Sequence, residues 1–202
     1  MIEAIIFDLW ETLGTKNIGI SKTLRERFGI SKTPDFLTKY EHAIQLTAYG
    51  SPVELARNFL REFGIEPAQE SVDFVTETLQ QGIDKATMFE GMYGLIETLS
   101  KTYRLGILSN TTVFESVVPS MWGVEQFFGT QVYSWQLGSL KPSMENFKAV
   151  CLALQVKPEN ALFIDDGEKN VAGAKACGLK GIQYQDLGQL KRELVSLGVK
   201  IE

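Results

Sequence analysis

The sequence predicts an α/β fold, a doubly wound parallel sheet with a helical segment inserted after its first strand. Three observations lead there. Short unbroken apolar runs stop abruptly at polar residues: Ile5-Ile6-Phe7 before Asp8, Leu105-Gly106-Ile107-Leu108 before Ser109-Asn110, and Ala161-Leu162-Phe163-Ile164 before Asp165-Asp166. Runs of this length without alternation suit strands covered on both faces. After residue 90, strand-like runs alternate with helical periodicities, as parallel strands joined by crossover helices require. Between 14 and 88 the apolar spacing is helical throughout.

In chain order, the first strand spans 5–7. Helical stripes follow around Leu24 and Phe28, then over 36–46, 55–63 and 72–83. They are punctuated at Gly29, Thr33-Pro34, Gly50-Ser51-Pro52, Gly64 and Pro67. A helix over 91–102 carries Met92, Leu95, Ile96 and Leu99 on one stripe. Strands follow at 105–108 and 130–134, then a helix over 146–154 with Phe147, Val150, Cys151 and Leu154. The strand at 161–164 leads into a small-residue helix over 171–177, suited to close packing on the sheet. A strand at 181–184 and a helix over 186–197 with Leu187, Leu190, Leu194 and Leu197 end the pattern. The expected division is therefore 1–14 and 89–202 for the sheet core and 15–88 for the helical insertion. Segments near 14–16 and 88–91 form the hinges between them.

Composition narrows the chemistry. The 202 residues are 44% apolar and 22% charged, with 20 basic and 25 acidic side chains and a net charge of -5. No Lys/Arg block favours a nucleic-acid or anionic-membrane partner. One histidine, His42, rules out a site built on several, and reads as a surface or packing residue. Cys151 and Cys177 are too few for a four-cysteine zinc site or a disulfide framework, and read as buried small apolar groups. No apolar stretch approaches a membrane span, and the start lacks the basic and apolar regions of a signal peptide, so a cytoplasmic protein is expected. A monomer or homodimer is expected, with no membrane partner.

In open parallel sheets ligands bind beyond the carboxyl ends of the strands. If the three runs are neighbouring strands, Asp8, Ser109, Asn110, Asp165 and Asp166 converge on one crevice. Three carboxylates brought together repel unless a cation lies between them, and hard oxygen donors favour Mg²⁺ over zinc or copper. Such an ion gives an incoming phosphate a counter-charge. In the Gly138-Ser139-Leu140-Lys141-Pro142 segment, Lys141 can offset the carboxylates and hold an anionic oxygen.

Four ordered motifs, Asp8-Leu9-Trp10-Glu11-Thr12-Leu13, Leu108-Ser109-Asn110, Lys141-Pro142 and Phe163-Ile164-Asp165-Asp166, resemble those of the haloacid dehalogenase superfamily. Glu90-Gly91 and Asn170-Val171-Ala172-Gly173-Ala174-Lys175 match the surrounding phrases. The resemblance covers nearly the whole chain and implies a Rossmann-like core with a four-helix-type cap inserted after the first strand. It makes Asp8 the nucleophile of a hydrolase that passes through an aspartyl-phosphate. It gives Ser109 and the backbone N–H of Asn110 to the phosphoryl oxygens, and Lys141 to the charge developing there. Asp8, Asp166 and the backbone carbonyl of Trp10 would hold Mg²⁺, with Asp165 in a supporting or water-mediated role. Asn170 either orients those carboxylates or caps a helix. The implied substrate is a small phosphorylated metabolite.

The resemblance also exposes a departure. Phosphatases of this family mostly carry a second Asp two residues after the nucleophile, as general acid, where this chain has Trp10. An indole donates one N–H and exchanges no proton under these conditions. Glu11 is the nearest substitute, but continued strand alternation would point it away from Asp8. Two alternatives stand beside phosphate hydrolysis: a 2-haloacid dehalogenase-type reaction, whose halide leaves unprotonated, and binding of metal or phosphate without turnover.

Overall fold

The computed structural model describes residues 1–201. Strand β1 (Ala4–Phe7) is buried at every position. Ile5 and Phe7 enter one apolar layer with Met92, Ile96 and Leu190, while Ala4 and Ile6 enter another with Phe147, Val150 and Ala174. Successive strand residues point to opposite faces, so a strand apolar at every position needs two covering layers.

The chain then leaves through β2 (Gly14–Thr15) into α1 (Ile20–Arg27), α2 (Phe36–Gln45), α3 (Pro52–Glu62) and α4 (Gln69–Asp84). It returns through β3 (Thr87–Met88). The four helices pack around an apolar cluster of their own that includes Leu24, Tyr40, Ile44, Phe59 and Val75. Helix α3 starts sharply because Ser51 Oγ accepts the Glu54 N–H at 3.1 Å and Pro52 occupies the first turn. The segments expected near 14–16 and 88–91 pair as a two-stranded antiparallel ribbon, Gly14 opposite Met88 and Thr15 opposite Thr87. Only a glycine fits at 14, since a Cβ there would lie 2.3 Å from the Thr87 carbonyl oxygen and 2.5 Å from the Trp122 ring.

From there α5 (Met92–Ser100), β4 (Arg104–Ser109), α6 (Val118–Met121), β5 (Thr130–Tyr133) and α7 (Ser134–Leu137) follow. The chain continues through α8 (Met144–Ala153), β6 (Ala161–Asp165), α9 (Glu168–Ala176), β7 (Lys180–Gln183) and α10 (Leu187–Ser196). The five-stranded sheet runs β5-β4-β1-β6-β7 with every pair parallel. Residues of α5 and α10 cover one face and those of α8 and α9 the other.

Most boundaries move by one to three residues from expectation, and two of these shifts bear on the site. The strand expected over 130–134 ends at Tyr133, whose N–H is taken by the Gln136 side chain at 2.9 Å, so Ser134 opens α7 instead. The helix expected over 171–177 begins three residues earlier, at Glu168, where the Asp165 carboxylate accepts the Gly167 N–H at 2.8 Å just ahead of its first turn. Cys151 is buried, whereas Cys177 is partly exposed at the end of α9. Among the described residues no helix is long and apolar enough to cross a membrane.

Candidate active site

Strand register brings the polar termini together. Phe7 stands opposite Ile107 on β4 and Ile164 on β6. One residue on, Asp8 is level with Asp165 and a single step behind Ser109, and its N–H donates to the Ile164 carbonyl at 2.8 Å. Carboxylate oxygens of Asp8, Asp165 and Asp166 lie within 4.8 Å of one another. The Lys141 ammonium, with 1% of its side chain exposed, sits 2.7 Å from Asp8 Oδ1 and 2.6 Å from Asp165 Oδ2. The Asn110 side chain holds the Lys141 backbone, its Oδ1 accepting the Lys141 N–H at 2.8 Å. Helix α9 backs the same loop closely, since a Cβ on Gly173 would meet Pro142 at 2.7 Å.

The three acids differ in what they have left to offer. Asp165 is fully buried and accepts from Lys141, the Gly167 N–H and Asn170 Nδ2, the last at 3.0 and 3.2 Å to its two oxygens. Its oxygens are shared among Lys141, the Gly167 backbone and Asn170, and one of them fixes the Lys141 ammonium. Of the two roles open to Asn170, orienting a carboxylate is the one its contacts serve. Asp166 is exposed, and its own N–H donates to Thr12 Oγ1 at 3.1 Å, leaving the carboxylate free. Asp8 is 6% exposed. Burial pushes its pKa up to about 6, with Lys141 pulling down and Asp165 pushing up. Burial works against the Lys141 charge too, but Asp8 and Asp165 outweigh it and hold that ammonium above its ordinary range. Asp166, though exposed, is raised by the partial loss of water around it and by Asp165.

Three carboxylates against one ammonium leave an excess of negative charge, and every free donor is a hard oxygen, which fits a divalent cation such as Mg²⁺. The Ser109 hydroxyl is buried beside Asp8 with no well-formed hydrogen bond among the described residues. A buried hydroxyl left unpaired costs about 1–3 kcal/mol, and a phosphoryl oxygen would satisfy it.

The family described as haloacid dehalogenase-like hydrolase matches residues 2–178. The chain belongs to that family. Among proteins similar to this haloacid dehalogenase-like chain is flavin mononucleotide hydrolase 1 of Arabidopsis thaliana, 26% identical over 73% of this chain and 58% of its own length. The D-ribitol-5-phosphate phosphatase of Bacteroides thetaiotaomicron is 29% identical over 48% of this chain and 50% of its own. The chain thus spans about half the length of these two relatives. A haloacid dehalogenase family enzyme of Bacteroides thetaiotaomicron, crystallised with magnesium and inorganic phosphate, shares the fold. Its TM-score is 0.69 at 20% identity, covering 94% of this chain and 99% of that one.

At position 10 this haloacid dehalogenase-like chain has built something else. The Trp10 indole N–H donates to Thr111 Oγ1 at 3.1 Å, and Thr111 donates to Glu115 Oε2 at 2.9 Å. Glu115 also accepts the Thr112 N–H and pairs with Lys16, whose ammonium lies 4.4 Å from the centre of the Trp10 ring. Trp122 packs edge-on against Trp10 and donates to the Ala86 carbonyl. It anchors the base of the insertion, as a packing tryptophan should. Trp135 stacks on Tyr133. The sequence does not reveal Thr12, Lys16, Thr111 and Glu115, because each has a partner between 99 and 154 residues away along the chain. It also misplaces Glu11. Strand alternation stops at Phe7, and Glu11, at φ 56°, turns to line the crevice with Asp8 while accepting from the Thr15 hydroxyl at 2.7 Å.

Glu115 carries a stability prediction. It is buried, and although burial opposes its charge, Lys16 and the donors at 111 and 112 hold its pKa below the ordinary 4.5. A depressed carboxyl contributes stability above its unfolded pKa and loses it as pH falls through the folded one. Glu115→Gln leaves the half-buried Lys16 without its counter-charge and is expected to cost up to about 3–5 kcal/mol at pH 7. In denaturant melts the gap between parent and variant should narrow below pH 4.5, and a gap independent of pH would refute the assignment.

Proposed function

We propose that the chain is a Mg²⁺-dependent phosphatase for a small phosphorylated metabolite, working through an aspartyl-phosphate on Asp8. The observation that carries this reading is the buried Asp8 carboxylate, 2.7 Å from the Lys141 ammonium and beside a buried Ser109 hydroxyl that makes no well-formed hydrogen bond among the described residues. Asp8 attacks phosphorus with one carboxylate oxygen while the bond from phosphorus to the leaving oxygen breaks. Ser109 and the Asn110 N–H bind phosphoryl oxygens, and Lys141 neutralises charge that grows on them. Trp10 gives the leaving oxygen no proton, so that proton comes from solvent. Water then attacks the acyl phosphate, releasing inorganic phosphate and restoring Asp8. Asp8, Asp166 and the Trp10 backbone carbonyl would hold Mg²⁺, Asp165 would support it through Lys141 or a water, and the ion supplies counter-charge to the phosphoryl group.

In this reading residues 1–14 and 89–202 form the catalytic core and 15–88 a cap. The ribbon of β2 and β3 is the hinge, and closure lowers the dielectric around Lys141. The protein works on a small molecule as a cytoplasmic monomer or homodimer, without nucleic acid or membrane.

Trp10 also suits carbon–halogen cleavage. The free carboxylate of Asp166 works against a haloacid, whose own carboxylate it repels when no cation is present. The expected result is hydrolysis of p-nitrophenyl phosphate with Mg²⁺ and none in excess EDTA. Full activity in EDTA would overturn the proposal, and metal-free chloride release from 2-chloropropionate would replace it with dehalogenation.

A further inference from the structure

The crevice over Asp8 has two lobes. One of about 360 Å³ lies toward Trp10 and α1, and one of about 1020 Å³ lies toward Pro142 and the start of α9. Helix α2 crosses both. Leu37, Glu41 and Gln45 fall at successive i, i+4 positions and so share one face of the helix. Leu37 and Glu41 line both lobes, and Gln45 lines the smaller one.

The charged groups of the smaller lobe are unequally committed. Its cations are spent, Lys16 on Glu115 and Lys141 on Asp8 and Asp165. The Trp10 N–H is spent on Thr111. The acceptors are not. Glu41 is half-buried with no hydrogen-bond donor on its carboxylate among the described residues, its nearby charges being Lys141 and His42. Gln45 is 7% exposed, and its side-chain oxygen has no partner among the described residues. Burying an acceptor without a donor is costly, and a site built from such groups discriminates by the donors its ligand brings.

We propose that Glu41 and Gln45 select the substrate by its leaving group, admitting one that carries hydroxyl or ammonium donors and excluding one that carries a carboxylate. The assignment rests on the phosphatase reading for where the phosphoryl group sits. With that group on Ser109 and Lys141, the alcohol portion extends toward α2. In the smaller lobe a second anion would meet Glu41 and no free cation, since the unpaired Lys169 lines only the larger one. A hydroxyl or ammonium would find acceptors already desolvated. The substrate class is thus a monophosphate of a small polyol or amino alcohol.

The test uses phosphomonoesters matched in size: phosphoethanolamine, 2-hydroxyethyl phosphate, ethyl phosphate and phosphoglycolate. Titration calorimetry with Mg²⁺ on the Asp8→Asn variant reads binding without turnover. The first two are expected to bind roughly 10-fold or more tighter than phosphoglycolate. Glu41→Lys should reverse the order of phosphoethanolamine and phosphoglycolate, and Glu41→Gln should compress it, so one variant's misfolding does not end the test. Gln45→Leu should reduce the advantage of 2-hydroxyethyl over ethyl phosphate to within about threefold, while Gln45→Glu retains it. Phosphoglycolate binding as tightly as phosphoethanolamine, or an order indifferent to both changes at 41, would overturn the proposal. If the parent hydrolyses no p-nitrophenyl phosphate, the phosphatase reading fails while the binding order still stands or falls on its own.

Discussion

Asp8→Asn should abolish hydrolysis, with turnover of p-nitrophenyl phosphate down on the order of 10⁴-fold or more, the scale of removing a nucleophile from a covalent mechanism. Asparagine keeps the shape and loses the attacking oxygen's charge. The second readout is stability, where the sign is opposite. Burial raises Asp8 from 3.8 to about 6. An acid whose folded pKa is raised opposes folding once pH exceeds its unfolded value, and opposes it fully above the folded value. One unit is worth about 1.4 kcal/mol, so a neutral isostere gains up to ~3 kcal/mol at pH 8 in metal-free buffer. The variant should therefore melt above the parent at pH 8, with the difference shrinking toward pH 4. A variant that is inactive but also less stable at pH 8 would mean Asp8 is structural. Opposed effects on activity and stability are what a functional buried carboxylate produces.

How much of this could be read from residues alone follows from where the information lies. A strand buried on both faces writes itself as an unbroken apolar run, so β1, β4 and β6 and the polar residues at their ends were legible. Parallel pairing then brings Asp8, Ser109 and Asp165 together with little further freedom. The contacts that were not legible depend on how the helical insertion docks. Lys16 and Glu115 are unremarkable charges until the β2–β3 ribbon carries Lys16 back onto the turn after β4. Periodicity marks Phe36, Tyr40 and Ile44 as the apolar side of α2, yet it cannot tell that Glu41, on a neighbouring stripe, overlooks Asp8. The start of α9 was misread for a related reason. Its first turn is held by Asp165, and a carboxylate acting both on a helix and on Lys141 leaves no trace in local composition.

The position that breaks the family pattern yields the other large effect. Trp10→Asp is expected to raise turnover of alkyl phosphates by about 10²–10³-fold, the usual worth of a positioned general acid, and of aryl phosphates by less than about threefold. Phenolates leave readily without a proton; alkoxides do not, so only the second kind of substrate responds to an acid at position 10. The substitution has a structural cost. The indole's bond to Thr111, its edge contact with Trp122 and the face it offers Lys16 all disappear. Truncating a packed aromatic side chain costs about 3–5 kcal/mol when it is fully buried, and Trp10 is only partly so; the loss should fall at or below the lower end. A gain in activity with a loss in melting temperature would mean Trp10 is kept for the joint between insertion and core at the expense of alkyl-phosphate turnover. Equal acceleration of alkyl and aryl substrates would refute the protonation argument, because a general acid cannot assist a leaving group that needs no proton. No acceleration of either would mean the leaving oxygen already receives its proton from another group lining the crevice. Glu41 and Glu11, the carboxylates of the smaller lobe outside the triad of Asp8, Asp165 and Asp166, would then be the residues to replace next.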